Sequence, residues 1–289
     1  MDIVSEIKQS FKEGSVLTRI IYINIGVFLL IKLVGVFFLL ANRSFSLSYW
    51  LALPSDPSAL LYRPYTFITY MFLHENFLHI LFNLLGLYWF GKMLLYHFES
   101  DKLLGLYLFG GISGGVLFVA AYNFLPVFES NNVVLIGASA SVYAIIVALA
   151  VYNPNREIHL FFIGKFALKY VAAFYVLLSV LSISSTNPGG NIAHLGGALW
   201  GWFYISRLRR GKNVGFGVIK FVNSIPGWFK IKPKMKVSYK QPPRDDHEYN
   251  RQKNRQQEEI NRILDKISES GYENLSKQEK ELLFNQKEK

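Results

Sequence analysis

The stretch that decides the fold is residues 103–124, LLGLYLFGGISGGVLFVAAYNF, which contains no charged side chain. Outward from it, residues 103–155 carry a single charge, Glu129, and residues 78–96 also carry only one, Lys92. A soluble domain must keep its outer faces wet and cannot hold such stretches. About 20 apolar residues, by contrast, cross the roughly 30 Å core of a bilayer as a helix. The sequence therefore predicts an integral membrane protein.

Composition favours the same class. Hydrophobic residues make up 51% of the 289 residues and charged residues only 18%. The chain has no cysteine, which excludes disulfides and thiolate metal sites. A net charge of +11 could indicate nucleic acid, but the basic residues cluster beside the last apolar run, where a membrane surface explains them better. We expect a lipid bilayer as partner and no nucleic acid.

Six apolar runs near spanning length are separated by turn or charge signals, at about 17–40, 78–96, 103–124, 135–152, 158–183 and 191–208. Backbone groups have no water partner in lipid, so these runs are predicted to be helices. The first run exceeds a signal-peptide core and no cleavage pattern follows it, so it is predicted to be a retained span. The expected fold class is an all-α polytopic membrane protein, a six-transmembrane-helix bundle with a short helical cytoplasmic C-terminal tail.

Lys and Arg indicate the orientation of the spans. They occur before the first run and in alternate connections: Lys8, Lys12, Arg19; Lys92, Lys102; Arg156, Lys165; and Arg207, Arg209, Arg210, Lys212. The other connections are poorer in Lys and Arg, so the positive-inside rule predicts that both termini are cytoplasmic. We expect the membrane to be a bacterial inner (plasma) membrane. Lys32 lies inside the first span, where snorkelling and facing the bundle are both open interpretations.

The second, fourth and sixth spans would all enter the membrane from the outer face, so their N-terminal turns should share one depth. Ser139 opens the fourth span in the segment Gly137-Ala138-Ser139-Ala140. Small neighbours such as Gly137 allow close backbone approach, and the free N–H groups of a helix start point toward an anion. By itself, a serine among small residues is more typical of helix packing than of catalysis.

His194 lies in the first turn of the sixth span, in Ala193-His194-Leu195-Gly196-Gly197. A histidine in an apolar span is costly and suggests a functional site, although an interhelical hydrogen bond is the alternative. Beside a serine at the same depth, an imidazole is a competent general base. Gly197 and Gly201 form a Gly-xxx-Gly pair that predicts close contact with the small-faced fourth span.

His79 and Asn83 are four residues apart and share one face of the second span. Their side chains could donate hydrogen bonds to an oxyanion, or only join helices. Tyr143 follows Ser139 by four residues, so it could stack on the His194 ring or pack in the core. No Asp or Glu occurs in these turns, which favours a Ser-His dyad over a triad. A metal site is poorly supported because His74, the nearest third ligand, lies upstream in the loop; no cofactor is expected.

Three segments together resemble the rhomboid family of intramembrane serine proteases. They are residues 74–83 (HENFLHILFN), residues 137–140 (GASA) with Tyr143, and residues 193–197 (AHLGG). The resemblance covers about residues 16–210. It implies a six-helix core with Ser139 as nucleophile and His194 as base, and oxyanion donors at His79, Asn83 and the Ser139 backbone. It also implies cleavage of transmembrane protein substrates near their outer ends.

Two positions depart from the family pattern. Ala140 stands where the family usually has Gly, and Tyr65-Thr66 stand where it has Trp-Arg in the first loop, with Arg63 two residues before Tyr65. A catalytically inactive relative that binds transmembrane segments is the first rival interpretation, and retention of Ser139 and His194 argues against it. A transporter is the second rival, but it would need charged or broken helices at mid-span.

The sequence divides into an N-terminal segment (1–15), the membrane domain (16–210), a basic linker (211–245) and a helical hairpin tail (246–289). The linker carries aromatic residues (Phe216, Phe221, Trp228, Phe229) and suits anionic lipid headgroups, or is a solvated tether. Ile260, Ile263, Leu264 and Ile267 predict an amphipathic helix ending by Gly271. Ser276 and Glu279 form a capping box before a second helix. The hairpin is interpreted as a docking element with an unknown cytoplasmic partner.

Overall fold

A computed structural model describes residues 2–128, 133–160, 164–184, 187–212, 214 and 246–285. The chain divides into two compact units, Met1–Phe229 and Lys230–Lys289, and each is described by itself. The described residues are mostly helical, in agreement with the predicted class. The aromatic positions of the predicted basic linker lie outside the described residues.

The first unit contains ten helices and four short strands among its described residues. In chain order they are α1 Ile3–Glu13, α2 Val16–Leu40, α3 Leu47–Leu51, β1 Leu53–Pro54, α4 Pro57–Tyr62, α5 Thr66–Thr69, α6 Phe77–Leu95, α7 Ser100–Phe124, β2 Val134–Leu135, α8 Ser139–Tyr152, β3 Glu157–Leu160, β4 Gly164–Ala167, α9 Leu168–Leu181 and α10 Pro188–Leu208. A 3₁₀ turn, Tyr70–Phe72, follows α5.

Three of the described helices are long and apolar enough to cross a membrane by length and composition: α2, α6 and α7. Two shorter helices, α8 and α9, are also apolar, and α10 has 21 residues. The chain is therefore a membrane protein with apolar helices. Each of the six predicted runs overlaps one of these helices.

The predicted fifth span was wrong in its first part. Residues 157–160 and 164–167 form an antiparallel hairpin, β3–β4, with Ile158 opposite Phe166, and the helix begins only at Leu168. Polar Glu157, His159 and Lys165 alternate with apolar neighbours, which is the two-residue period of a strand. Gly164, the first residue of β4, has a φ of +110°, a conformation that glycine adopts at little cost.

The fourth predicted span, α8, also begins later than the apolar run, at Ser139 rather than near residue 135. Leu135 and Val134 pair with Leu53 and Pro54 of the first loop as the antiparallel ladder β1–β2. Gly137 has a φ of +125°, which an L-residue in a helix does not adopt. The segment that precedes Ser139 is thus held by the first loop.

The buried centre of this unit is the contact of α7, α8 and α10, built from small residues. An added Cβ at Gly197 would collide with the Ala140 carbonyl oxygen, and one at Gly201 with the Ala144 carbonyl oxygen. The predicted contact between the Gly197/Gly201 face and the fourth predicted span, α8, is confirmed. Such close backbone approach is available only where side chains are absent.

Arg63 ends α4 and is held inside the first loop. Its guanidinium Nη1 donates to the Tyr49 carbonyl oxygen at 3.0 Å and lies 4.9 Å from the Tyr49 ring centroid and 5.7 Å from that of Trp50. A guanidinium over an aromatic ring is a cation–π contact, and Tyr and Trp are residue types enriched at membrane interfaces. Arg63 therefore ties α4 to α3 in the present structure.

The second unit contains α11 Asp246–Ser270, a 3₁₀ turn Tyr272–Asn274 and α12 Lys277–Asn285. The predicted capping box is confirmed: Ser276 N–H donates to Glu279 Oε2 at 2.7 Å, and Glu279 N–H donates to Ser276 Oγ at 3.3 Å. Lys266 Nζ donates to Glu279 Oε1 at 2.9 Å, which joins the two helices. Ile263 is buried, as its place in the amphipathic pattern predicts.

Candidate active site

Ser139 is the first residue of α8, and two connections place it. The β1–β2 ladder holds residues 134–135, and Gly137 N–H donates to the Tyr70 carbonyl oxygen at 3.0 Å. Ala138 precedes the helix without a side-chain cap. The first N–H groups of a helix lack intrahelical acceptors, so the Ser139 hydroxyl lies beside backbone donors that the helix itself does not use.

His194 is in the second turn of α10, whose start is fixed by its own sequence. Asn187 caps the helix by accepting from Gly190 N–H at 3.0 Å, and Pro188 occupies the first turn, where proline is favoured. His194 Nε2 lies 2.7 Å from Ser139 Oγ. The structure therefore brings these two predicted residues into a direct hydrogen bond, although they are 55 positions apart.

Tyr143 of α8 and Ser179 of α9 also contact the His194 ring. Tyr143 stacks on the imidazole, with the ring centroids 4.2 Å apart and an angle of 15° between the ring planes. Ser179 of α9 lies with its Oγ 3.2 Å from His194 Nδ1 and donates to the Tyr143 hydroxyl at 3.0 Å. Sequence reasoning missed Ser179. Its only signal was a polar residue in the apolar fifth run, which alone is typical of helix packing.

His79 lies on α6, close to Ser139. Asn76 caps α6 by accepting from His79 N–H at 2.9 Å. A Cβ added to Gly137 would lie 2.9 Å from His79 Nε2 and 3.7 Å from Ser139 Oγ. The imidazole and the serine hydroxyl thus border the same small space, which the missing side chain of Gly137 leaves open.

Asn83 is buried one turn further along α6. Its side-chain Nδ2 donates to the His79 carbonyl oxygen at 2.8 Å, and an amide nitrogen carries a second N–H. Glu75 N–H makes a weak contact of 3.4 Å with His79 Nδ1. A neutral ring that accepts at Nδ1 carries its proton on Nε2, the nitrogen that faces the space at Gly137.

Lys32, the charge inside the first span, is explained by the structure. Its Nζ donates to the Glu75 carbonyl oxygen at 2.7 Å and lies 5.6 Å from the Phe28 ring centroid. The lysine therefore faces the loop that precedes α6 rather than only snorkelling. Both backbone groups of Glu75 are engaged, the N–H by His79 and the carbonyl by Lys32. Sequence reasoning could not pair residues so far apart.

His74 lies in the loop before α6 and is 5% exposed. Its ring meets that of His79 edge-on, with centroids 5.1 Å apart. Burial lowers the pKa of His74 to about 4, with a smaller contribution from the neighbouring His79. The ring is therefore neutral near pH 7. Within the described ranges, no group of three or more His, Asp or Glu residues could hold a metal ion.

In chemical terms, the Ser139 hydroxyl is hydrogen-bonded to an imidazole nitrogen of His194. Beside it is a space bordered by the His79 imidazole and the start of α8. This is what acyl transfer by a serine requires: a nucleophile, a base and donors for the developing oxyanion.

Comparison with known proteins gives independent information. The Rhomboid domain family matches residues 62–211, and a family of unknown function, DUF6576, matches residues 245–285. The chain is 26% identical over 215 residues to "RHOMBOID-like protein 12, mitochondrial" of Arabidopsis thaliana, a match that covers 71% of this chain and 61% of that relative. The chain thus spans less than two thirds of the relative's length. The Rhomboid match covers more than half of the chain, which therefore belongs to the rhomboid family.

Proposed function

We propose that this protein is an intramembrane serine endopeptidase that cleaves membrane-spanning protein substrates with Ser139 as nucleophile and His194 as general base. The observation that carries the proposal is the 2.7 Å hydrogen bond between Ser139 Oγ and His194 Nε2. Family membership supports it, because the resemblance of residues 137–140 and 193–197 to the family implies these roles for Ser139 and His194. Transmembrane segments of other proteins and the surrounding bilayer are the proposed partners.

The first step is attack of Ser139 Oγ on the scissile carbonyl carbon while its proton passes to His194 Nε2. The carbonyl oxygen becomes an oxyanion on the side of Gly137. There, His79 Nε2, the second N–H of the Asn83 amide and the Ser139 backbone N–H are the proposed donors. Donors fixed before the reaction stabilise the charge without reorganising, and loss of one such donor typically costs about 10²–10³ in rate.

Collapse of the tetrahedral intermediate breaks the C–N bond, and His194 gives its Nε2 proton to the leaving amine. The product is an ester between the substrate's acyl group and Ser139. Water then attacks this ester while His194 takes one of its protons, and Ser139 leaves with that proton restored. All proton transfers pass through one nitrogen of one histidine, in keeping with a Ser-His dyad.

The proposed fold context is a six-span bundle formed by α2, α6, α7, α8, α9 and α10, with both termini and the helical tail in the cytoplasm. Residues 1–15, 16–210, 211–245 and 246–289 are the proposed segments, and the hairpin is proposed to dock an unidentified partner. The chain contains no cysteine, so single reporters at Arg43→Cys and Lys212→Cys can be tested with an impermeant maleimide. Labelling of residue 43 from outside and residue 212 only after lysis would support this orientation; the reverse would overturn it.

The compartment is a separate prediction. A bacterial plasma membrane is expected from the sequence, whereas the matched relative has a mitochondrial name. Both alternatives place the protein in a membrane, and the proposed chemistry is the same in either bilayer.

Cleavage by the purified full-length chain tests the function. Several single-span substrates in detergent are incubated with wild type, Ser139→Ala and His194→Ala, and thermal unfolding verifies that each variant is folded. We expect products from wild type alone. Cleavage that persists in Ser139→Ala would overturn the mechanism. Absence of cleavage by wild type on every substrate, together with retained binding, would favour the inactive binding protein instead.

A further inference from the structure

We propose that Ser179 is a positioning residue that orients His194 and fixes the position of its ring proton, so that a hydrogen-bonded chain Ser139–His194–Ser179 supports the dyad. This inference rests on the proposed function. Ser179 is on α9, is 1% exposed, and places its Oγ between His194 Nδ1 at 3.2 Å and the Tyr143 hydroxyl at 3.0 Å. A buried hydroxyl with partners on two other helices restricts both of them.

The proton arrangement follows from the chemistry of the imidazole. A neutral ring has one donor and one acceptor nitrogen. His194 can accept the Ser139 proton at Nε2 only if Nδ1 carries the ring proton. Nδ1–H then donates to Ser179 Oγ, and the Ser179 hydroxyl proton is left to donate to Tyr143, which is the direction the structure gives.

The opposite tautomer would reverse this chain. With the ring proton on Nε2, His194 would donate to Ser139 and Nδ1 would need a donor. Ser179 has one hydroxyl proton, so that proton would turn from Tyr143 to Nδ1, and the Tyr143 hydroxyl would have to donate to Ser179 Oγ instead. The productive tautomer is the one that fits the bond from Ser179 to Tyr143 in the structure.

Ser179 also acts after proton transfer. When His194 has taken the Ser139 proton, both ring nitrogens carry hydrogen, and Ser179 Oγ remains the acceptor for Nδ1–H. Hydrogen bonds to a charged group are stronger than neutral ones. Ser179 thereby performs, without a buried negative charge, the orienting role of the carboxylate in a Ser-His-Asp triad. Tyr143 completes the chain with its hydroxyl and its stacked ring.

The test is the rate at which a fluorophosphonate labels Ser139 in the purified full-length chain, because this small probe reports nucleophile activation without requiring a membrane-spanning substrate. We expect Ser179→Ala to label about three- to tenfold more slowly, the loss expected from one hydrogen bond, and Ser179→Thr to recover at least half of the wild-type rate. In proteolysis, kcat should fall while KM stays unchanged.

Two variants separate positioning from structure. Ser141→Ala is the matched control, because Ser141 Oγ donates to the Tyr107 carbonyl oxygen at 2.6 Å, an interhelical bond that does not involve His194; its labelling should equal wild type. Tyr143→Phe keeps the stacked ring and removes the hydroxyl. As a single substitution it should slow labelling of Ser139, and added to Ser179→Ala it should cause no further slowing.

The outcomes distinguish the two proposals. If wild type is labelled at Ser139 and folded Ser179→Ala is labelled at the same rate, the role of Ser179 is overturned and the proposed function stays intact. Equal slowing by Ser141→Ala and Ser179→Ala also overturns it, since both would then act through stability. If Ser139 of folded wild type is not labelled at all, the proposed function fails and the role of Ser179 fails with it.

Discussion

The α8–α10 contact and the C-terminal hairpin of α11 and α12 are both helix pairs, but different kinds of contact join them. In the first pair, Gly197 and Gly201 bring one helix against the carbonyl oxygens of Ala140 and Ala144. In the second, the exposed ion pair Lys266–Glu279 joins the two helices, and the capping box Ser276–Glu279 begins α12. The first depends on the absence of side chains, whereas the second is joined by side chains: a charged pair at the surface and buried Ile263.

This difference indicates which contact fixes the geometry of the candidate site. The backbone contact leaves little freedom, because packed interiors cannot accept extra atoms without moving, and it holds Ser139 and His194 within one hydrogen bond. An exposed ion pair contributes little and is screened by salt. Changes in the α8–α10 contact should therefore alter folding and chemistry together, whereas changes in the hairpin should alter only the hairpin.

The largest expected effect is that of Gly197→Leu. The new side chain would collide with the Ala140 backbone, and overpacking of this kind costs about 3 kcal/mol or more when backbone must move. We expect loss of folded protein and of proteolysis, measured by denaturant titration and substrate cleavage. Gly35→Leu is the matched control, since a Cβ there has nothing within 4 Å; equal damage from both would contradict the role of the close contact.

Gly137→Ala should separate chemistry from stability. Both Gly137 and Gly164 have positive φ, +125° and +110°, but only at Gly137 would the new Cβ approach His79 Nε2. The backbone strain, about 1–2 kcal/mol, is shared, whereas the oxyanion space is filled only at Gly137. We expect about a hundredfold loss of kcat in Gly137→Ala and near wild-type kcat in Gly164→Ala. Similar kcat values for the two variants would refute the assignment of this space.

Lys32→Met should have an intermediate effect. It removes the 2.7 Å hydrogen bond to the Glu75 carbonyl and with it one restraint on the loop that presents His79. A bond from a charged donor is worth about 1.5–3 kcal/mol, so kcat should fall about tenfold or more, and Lys32→Arg should restore part of it. Lys92→Met, which removes an exposed lysine at the far end of α6, serves as control. No change in Lys32→Met would show that the loop is held without the lysine.

The smallest effect is expected from Glu279→Gln in the hairpin. The hydrogen bond from Lys266 lowers the pKa of Glu279 from 4.5 to about 2. A lowered carboxyl pKa stabilises the hairpin above pH 4.5, and that contribution is lost as the pH falls toward 2. We expect slightly reduced helicity by circular dichroism, a weaker salt dependence and unchanged proteolysis, with Glu281→Gln as control. A marked loss of proteolysis in Glu279→Gln would contradict the independence of the hairpin from the chemistry.

The sequence predicted the parts that depend on local pattern. Apolar runs located the helices, and three short segments predicted Ser139, His194 and His79 as candidate site residues, which the structure brings close together. The segment 157–167 was mistaken for helix because hydropathy within a long apolar run does not distinguish strand from helix. Ser179 and the partner of Lys32 were missed for another reason. Ser179 and His194 lie on different helices, and Lys32 on α2 contacts a loop residue, Glu75, so no spacing within one element encodes either bond.

The most direct test of the central claim is covalent trapping by an isocoumarin that acylates a serine and then alkylates a neighbouring histidine. Purified wild-type chain is treated, digested and mapped by mass spectrometry. We expect one adduct that joins the peptides containing Ser139 and His194, absent in both Ser139→Ala and His194→Ala, because the two side chains lie 2.7 Å apart. An adduct on another serine, with cleavage of substrate abolished by the reagent, would contradict the dyad.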